Sequence, residues 1–313
     1  MLEGKRVAVV VPAYDEERLV VETLRGIPEV VDRVYVVDDG SRDGTAAAAA
    51  AIGDPRVEVI PHERNSGVGA AIVTGYRRAL AEGIDVTCVM AADNQMDPVE
   101  LAGLVGPVAR GEVEYAKANR LVSGEAWKVI PRTRYLGNAV LSLLTKIASG
   151  YWHVADSQAG YTAISRDALR ALDLDELYPR YGFPNDMLVH LNVQNARVRD
   201  VPSRPIYDVG EESGIKLRSV VPRISWLLFK GFWWRMGHKY VIRDFHPLVF
   251  FYAFGVLMTL VGFLLGLVEV VLRLGGNEIT TPTIVLVAVL FIAGLQMTLF
   301  AMWFDMEANK ELR

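Results

Sequence analysis

Short apolar runs recur along the first two-thirds of the chain, and most end in polar residues. Val7–Val11, Val34–Val37, Val57–Ile60 and Val86–Met90 are too short and too β-branched for helices and read as buried strands. Tyr115–Asn119 and Val198–Val201 read the same way. Helical spacing fills the intervals. Glu16 to about Arg25 puts Leu19, Val20, Thr23 and Leu24 on one face, an alanine run follows Thr45, and Ala71–Ala81 is amphipathic. After Arg134, residues Leu136, Val140, Leu143, Leu144 and Ile147 repeat at the same period. Strands alternating with helices at roughly 25-residue intervals predict a parallel sheet with right-handed crossovers. The expected class is α/β: a Rossmann-like, mostly parallel sheet with helices on both faces.

The pattern changes near residue 213. Ile215 to Arg243 holds seven Lys or Arg and no acid, interleaved with Ile224, Trp226, Leu227, Leu228, Phe229, Phe232, Trp233 and Trp234. Basic groups among tryptophans and leucines describe an amphipathic juxtamembrane helix in the headgroup layer of an anionic leaflet. Leu248–Val268 then runs 21 residues without a charge, and 279–304 runs 26. A helix needs about 20 residues to cross the hydrocarbon core. The two runs, with expected spans of about 247–272 and 280–304, form a hairpin around Gly275-Gly276-Asn277. Positive charge before the first span, and Lys310 and Arg313 after the second, place both ends on the cytoplasmic side. Three parts follow: an α/β domain over 1–212, a basic-aromatic segment over 213–244, and a transmembrane hairpin with a short cytoplasmic tail over 245–313. The expected location is integral to a plasma or inner membrane, with the bilayer as a partner and the hairpin as the surface for any homo-oligomer.

Composition adds little beyond exclusions. A formal charge of −4 over 313 residues gives no reason to expect nucleic acid. The single cysteine, Cys88, lies inside an apolar strand and reads as buried structure. His153 and His190 lack metal-ligand spacing and read as structural.

The strand ends carry the chemistry. Val86–Met90 leads into Asp93-Asn94-Gln95-Met96-Asp97-Pro98, oxygen ligands at the carboxyl edge where open α/β sheets bind ligands. Such ligands suit a hard cation such as Mg²⁺, which also takes substrate phosphates; the same residues also read as a polar turn with a helix cap. Asp38, Asp39 and Ser41 at one tip, with Tyr14 and Glu16 at its neighbour, have the groups to hold a base and a ribose; turn and cap roles would also explain Asp39–Thr45. Gly67-Val68-Gly69 lacks the third glycine of a dinucleotide fingerprint, and no phosphate loop with a Gly-Lys-Ser/Thr ending exists. Arg120, Arg132 and Arg134 near a strand end and a helix start make an anion clamp or solvated surface.

Three motifs in order, Val9-Val10-Val11-Pro12-Ala13-Tyr14-Asp15-Glu16, Val37-Asp38-Asp39-Gly40-Ser41-Arg42-Asp43-Gly44-Thr45 and Asn65-Ser66-Gly67-Val68-Gly69, resemble those of family 2 glycosyltransferases with a GT-A fold. The resemblance covers about residues 5–216 and is strongest to the subgroup that glycosylates polyprenyl or dolichyl phosphate, the dolichyl-phosphate mannose synthase-like enzymes. It implies an inverting transfer from a UDP- or GDP-hexose to a membrane polyprenyl phosphate. It also implies donor contacts at Pro12, Tyr14, Glu16, Asp38, Asp39, Ser41, Gly67 and Asp93, with Mg²⁺ or Mn²⁺ at Asp93 and Gln95. The family's Asp-Ala-Asp-x-Gln stands here as Ala91-Ala92-Asp93-Asn94-Gln95, one carboxylate short, which leaves Asp97 or a water to take the first position.

Arg120 and Arg134 keep the family's fourteen-residue spacing and are expected on the acceptor phosphate, with Arg132 as substitute. Asp156-Ser157-Gln158-Ala159-Gly160-Tyr161 and Tyr181-Gly182-Phe183-Pro184-Asn185-Asp186 resemble two further family elements. They make Asp156 and Asp186 positioning groups first and proton acceptors second, since a phosphate acceptor is already largely ionised. Gly210–Lys216 resembles a last element whose arginine is replaced by Tyr207, and Arg204 is the expected stand-in. Two other classes fit parts of the pattern: a processive polysaccharide synthase, for which two spans and no Gln-x-x-Arg-Trp are too little, and a non-catalytic membrane scaffold, suggested by Ala91.

Overall fold

A computed structural model describes residues 1–122, 132–204, 206, 217–278 and 280–313. The chain forms two compact units, Met1–Phe232 with Leu312–Arg313, and Trp233–Glu311.

The first unit is built on a seven-stranded sheet. Its strands are β1 (Val7–Ala13), β2 (Arg33–Asp38), β3 (Val57–Pro61), β4 (Val86–Val89), β5 (Tyr115–Asn119), β6 (Thr162–Ser165) and β7 (Val198–Pro202), in the order β3-β2-β1-β4-β6-β5-β7. β1 pairs in parallel with β2 and β4, and β5 with β7. β6 runs antiparallel to both β4 and β5. The sequence reading missed β6, a four-residue Thr-Ala-Ile-Ser run with no periodicity of its own. Because β6 alone is reversed, the carboxyl ends of the other six strands share one edge with the start of β6. Polar strand ends far apart in sequence therefore meet.

Alternation along β1 divides its side chains between two layers. Val7, Val9 and Val11 enter a core with Leu24, Leu101 and Leu104, whereas Ala8 and Val10 enter another with Ile72, Tyr76 and Leu188. Helices α1 (Val20–Gly26), α2 (Thr45–Ala50), α3 (Val68–Ala81), α4 (Leu101–Ala109), α5 (Arg132–Ser149), α6 (Arg166–Ala171) and α7 (Phe183–Val193) complete the domain, followed by α8 (Leu217–Gly237). Cys88 is fully buried, and burial pushes its thiol well up, consistent with an inert core residue.

In the second unit, α9 (Leu248–Leu274) and α10 (Thr281–Ala308) have mean hydropathies of 2.4 and 2.5, long and apolar enough to cross a membrane. They approach closely at glycines: a Cβ on Gly255 would lie 2.7 Å from the Thr298 nitrogen, and one on Gly262 2.7 Å from the Phe291 nitrogen. Small residues let apolar helices pack backbone to backbone.

The end of α8 departs from the expected basic surface. Arg235 is fully buried and forms a bidentate pair with Asp305, 2.8 Å at each contact. Tyr240 donates to Asp305 at 2.8 Å, and Lys239 donates to Asn309 Oδ1 at 2.7 Å. Two of the seven cations expected among headgroups are thus turned inward. A desolvated guanidinium needs a carboxylate, and Asp305, about 70 residues on, supplies it.

Candidate active site

The tips of β1 and β2 are stitched to each other. Asp15 adopts a left-handed backbone (φ 56°); its N–H donates to Ser41 Oγ at 3.0 Å and its carboxylate accepts from the Arg42 N–H at 2.7 Å. The Glu16 N–H donates to Thr45 Oγ1 at 2.8 Å, and Ser41 Oγ donates to Asp38 Oδ1. Tyr14, Glu16, Asp38 and Ser41 are therefore held around one tip. Pro12 is buried within β1 itself, opposite Val37.

Asp39 and Gly67, which the resemblance places at the donor, also make contacts within the fold. Asp39 Oδ1 accepts from the Ser66 N–H at 2.9 Å, Oδ2 accepts from the Gly67 N–H at 2.7 Å, and His62 Nδ1 lies 2.8 Å from Oδ1. Both carboxylate oxygens are thus engaged within the fold. Gly67 (φ 105°) faces the Pro179 carbonyl and the Arg180 side chain, where a Cβ would collide. The glycine pair Gly67 and Gly69 serves the close approach of another chain segment.

Asp186 acts on that same segment. Its Oδ2 accepts from the Tyr178 N–H at 2.8 Å, with His190 Nε2 at 3.7 Å. Burial raises its carboxyl to about 6, against the opposing pull of the Tyr178 hydrogen bond. Asp39 and Asp186 hold opposite sides of the Gly67–Pro179 junction. Just beyond it stands Tyr181, to which the sequence alone assigned no role. Its side chain is more than half exposed, but partial desolvation and the negative charges of Asp93 and Glu16, both near it, raise its hydroxyl above the ordinary tyrosine value.

At the β4 tip, Asn94 is left-handed (φ 56°) and the Gln95 N–H turns back to Asp93 Oδ1 at 3.2 Å. Asp97 resolves otherwise: its Oδ1 accepts from the Val99 N–H at 2.9 Å and caps the turn Pro98–Glu100. Among the described residues no group of three or more His, Cys, Asp or Glu could hold a metal alone. Asp93 with the Gln95 amide fits a cation that arrives with phosphate oxygens filling its shell, the usual arrangement for Mg²⁺.

The β5 end supplies the cationic side. Arg120 pairs with Asp156 through Nε at 2.7 Å and Nη2 at 3.1 Å. Burial acts to raise the Asp156 carboxyl, but the Arg120 charge and hydrogen bonds outweigh it and hold it below the ordinary value. A carboxylate so held orients its arginine rather than taking a proton. Lys117 is fully buried below, its ammonium donating to the Ala159 carbonyl. Burial lowers Lys117 to about 8, with Asp156 and Asp200 opposing. Asp200 accepts from Asn119 Nδ2 and the Ala155 N–H, each at 2.7 Å. His153 donates through Nε2 to the Val198 carbonyl at 2.8 Å and stays below its ordinary pKa by burial, a structural role.

A small open pocket joins these parts. Gln95 and Met96 from the β4 turn, Arg120, Gly160 and Tyr161, and Arg204 after β7 line it. Arg204 is placed by its backbone N–H, which donates to Glu100 Oε1 at 2.9 Å, beside Ser203 Oγ on Glu100 Oε2 at 2.5 Å. Gln95, Arg120 and Arg204, picked from three separate motifs, are thus together. The side chains of Arg132 and Arg134, and residues 207–216, lie outside the described part.

Residues 8–173 match Glycosyl transferase family 2. The chain belongs to that family. Among its relatives, the undecaprenyl-phosphate mannosyltransferase of Micrococcus luteus is 32% identical over 71% of this chain and 93% of its own. The UDP-N-acetylglucosamine–dolichyl-phosphate N-acetylglucosaminyltransferase of Methanococcus voltae is 29% identical over 66% and 88%. The polyprenol monophosphomannose synthase of Mycolicibacterium smegmatis is 29% identical over 71% and 86%. In fold, the chain is similar to glucosyl-3-phosphoglycerate synthase of Mycobacterium tuberculosis, solved with UDP, at TM-score 0.55 and 22% identity over 75% of this chain and 81% of that one. The same synthase has been solved with Mg²⁺ and UDP (TM-score 0.53, 22% identity, 75% and 80% covered). The chain is a family 2 glycosyltransferase with the GT-A arrangement expected from its motifs.

Proposed function

We propose that this glycosyltransferase moves a hexose from a UDP- or GDP-sugar to the phosphate of a membrane polyprenyl lipid, with inversion at the anomeric carbon. The observation that carries the reading is the pocket in which Arg120 and Arg204 face the β4 turn that holds Gln95. Cations opposite a donor-phosphate turn give an anionic acceptor a seat beside the sugar.

The donor lies along the β1, β2 and β4 tips, its base and ribose near Tyr14, Asp38 and Ser41 and its diphosphate near Asp93. Asp93 and Gln95 would hold Mg²⁺ or Mn²⁺, which would supply charge neutralisation for the departing nucleoside diphosphate. Arg120, oriented by Asp156, grips the lipid phosphate together with Arg204, paired N–H groups matching paired oxygens. One phosphate oxygen attacks the anomeric carbon in line as the bond to the nucleoside diphosphate breaks, so a single displacement inverts the centre. The acceptor oxygen is already ionised, and no carboxylate has to take a proton. Holding both reactants in register is the main contribution of these residues.

Helices α9 and α10 anchor the enzyme across the bilayer with both chain ends cytoplasmic, and the bulk of the basic α8 lies in the headgroup layer. The relatives named for polyprenyl and dolichyl phosphates support this acceptor class. The test is to supply the purified enzyme in lipid vesicles with a panel of radiolabelled nucleotide sugars, offering polyprenyl phosphate and 3-phosphoglycerate in separate arms. Label extracted into the organic phase only with polyprenyl phosphate is the expected result. Transfer to 3-phosphoglycerate alone would overturn the acceptor assignment.

A further inference from the structure

The face of α10 that meets α9 contains Gly294 and Ala301, both buried. The opposite face carries Val285, Val289, Ile292, Gln296, Leu299 and Trp303, all exposed, at spacings of four and three in turn. That 3.5-residue period makes a straight seam, the pattern by which one helix packs along another. Gln296 is the sixteenth of the 28 residues of α10. It therefore lies about 2 Å from the helix midpoint, and, two residues from Gly294, it points away from α9. Thr259 and Thr298, the other polar side chains at this depth, donate to the carbonyls of Gly255 and Gly294 in their own helices. Among the described residues the Gln296 carboxamide has no partner within the chain.

We propose that this seam is where a second copy of the chain docks, with the two Gln296 carboxamides hydrogen-bonded to each other across a two-fold axis. The proposal rests on α10 crossing the bilayer and is independent of which sugar or acceptor the enzyme uses. At mid-membrane no water satisfies the amide, and lipid chains offer neither donor nor acceptor. A carboxamide carries both, so it is its own complement, as a two-fold contact between identical surfaces requires. A single polar residue in an otherwise apolar seam also fixes register, because sliding by one turn would leave both amides unpaired. Leu, Ile and Val around it supply packing that lipid could match; the amide is what lipid cannot match.

The test uses the full-length enzyme in lipid vesicles. With Gln296→Cys, mild oxidation should give a disulfide-linked dimer, whereas Leu264→Cys, on the exposed face of α9, should not. The chain's own Cys88 is fully buried and does not compete. Energy transfer between labelled copies, titrated against lipid, should show Gln296→Leu associating about three- to tenfold more weakly than the parent. Equal cross-linking at positions 264 and 296, or monomers at every lipid ratio, would mean that lipid covers the seam and overturn the proposal. Association unchanged in Gln296→Leu would overturn it as well.

Discussion

Arg120 and Asp156 face each other side-on, two guanidinium nitrogens on two carboxylate oxygens at 2.7 and 3.1 Å. The carboxylate is almost wholly buried and the arginine only partly, so Asp156 is the fixed member and Arg120 is the one it aims. Asp156→Asn keeps the shape but abolishes the charge pairing and turns one acceptor into a donor facing the guanidinium. The expected result is a KM for the lipid acceptor raised on the order of tenfold or more, with the nucleotide-sugar KM nearly unchanged. Arg120→Lys should not substitute for the parent, since a single ammonium cannot copy the fork. Steady-state kinetics with each substrate varied in turn checks both.

Asp97 caps the turn Pro98–Glu100, whereas Asp93 is the proposed metal ligand, and the two should respond differently to substitution. Asp93→Asn should lower kcat by on the order of 10² to 10³ and flatten its dependence on Mg²⁺, while thermal unfolding stays put. Asp97→Ala removes only the bond to the Val99 N–H, so it should cost about 1 kcal/mol of stability and leave the metal dependence intact. Metal titrations of activity beside unfolding curves distinguish the two.

Lys117 sets a pH dependence with a definite sign. Its folded-state value near 8 lies below the ordinary 10.5, so between those values the unfolded chain binds a proton that the folded chain does not. Stability therefore rises with pH across that window. Lys117→Met should remove this rise. Unfolding midpoints of both proteins from pH 7 to 10 provide the check.

The Gly67–Pro179 junction should be intolerant of even one methyl. Gly67→Ala would drive a Cβ into the Pro179 carbonyl at a backbone angle that L-residues avoid. A loss of about 1–3 kcal/mol is expected, together with weaker donor binding as Tyr181 shifts from Asp93. Asp186 titrates near 6, above its ordinary 3.8, so it contributes the opposite slope to Lys117: stability falls as pH rises from about 4 to 6. Asp186→Asn should erase that segment of the pH–stability curve.

The sheet was legible because its strands are β-branched runs bounded by polar turns, and motif order then gave the family. β6 was not, because four residues paired on both sides need no alternation. Within the candidate site, residue type pointed to loops that the fold brings together, but not to the partners each side chain takes there. Asp38 and Asp39 are chemically identical neighbours, yet Asp39 has both oxygens tied up by Ser66 and Gly67. Asp97 carried its cap signal openly, as Asp before Pro. Tyr181 and Lys117 gave no signal, because an isolated tyrosine or a lysine in a strand acquires meaning only from what the fold brings near it. The Arg235–Asp305 pair was hidden by sequence distance.

That pair brackets both long apolar helices, with Arg235 upstream of α9 and Asp305 three residues before the last position of α10. The arginine leaves the ribosome first and waits for a carboxylate that is made only when the hairpin is nearly finished. A chain that stops early, or whose second helix fails to turn back, keeps an unmatched guanidinium where the finished protein has none.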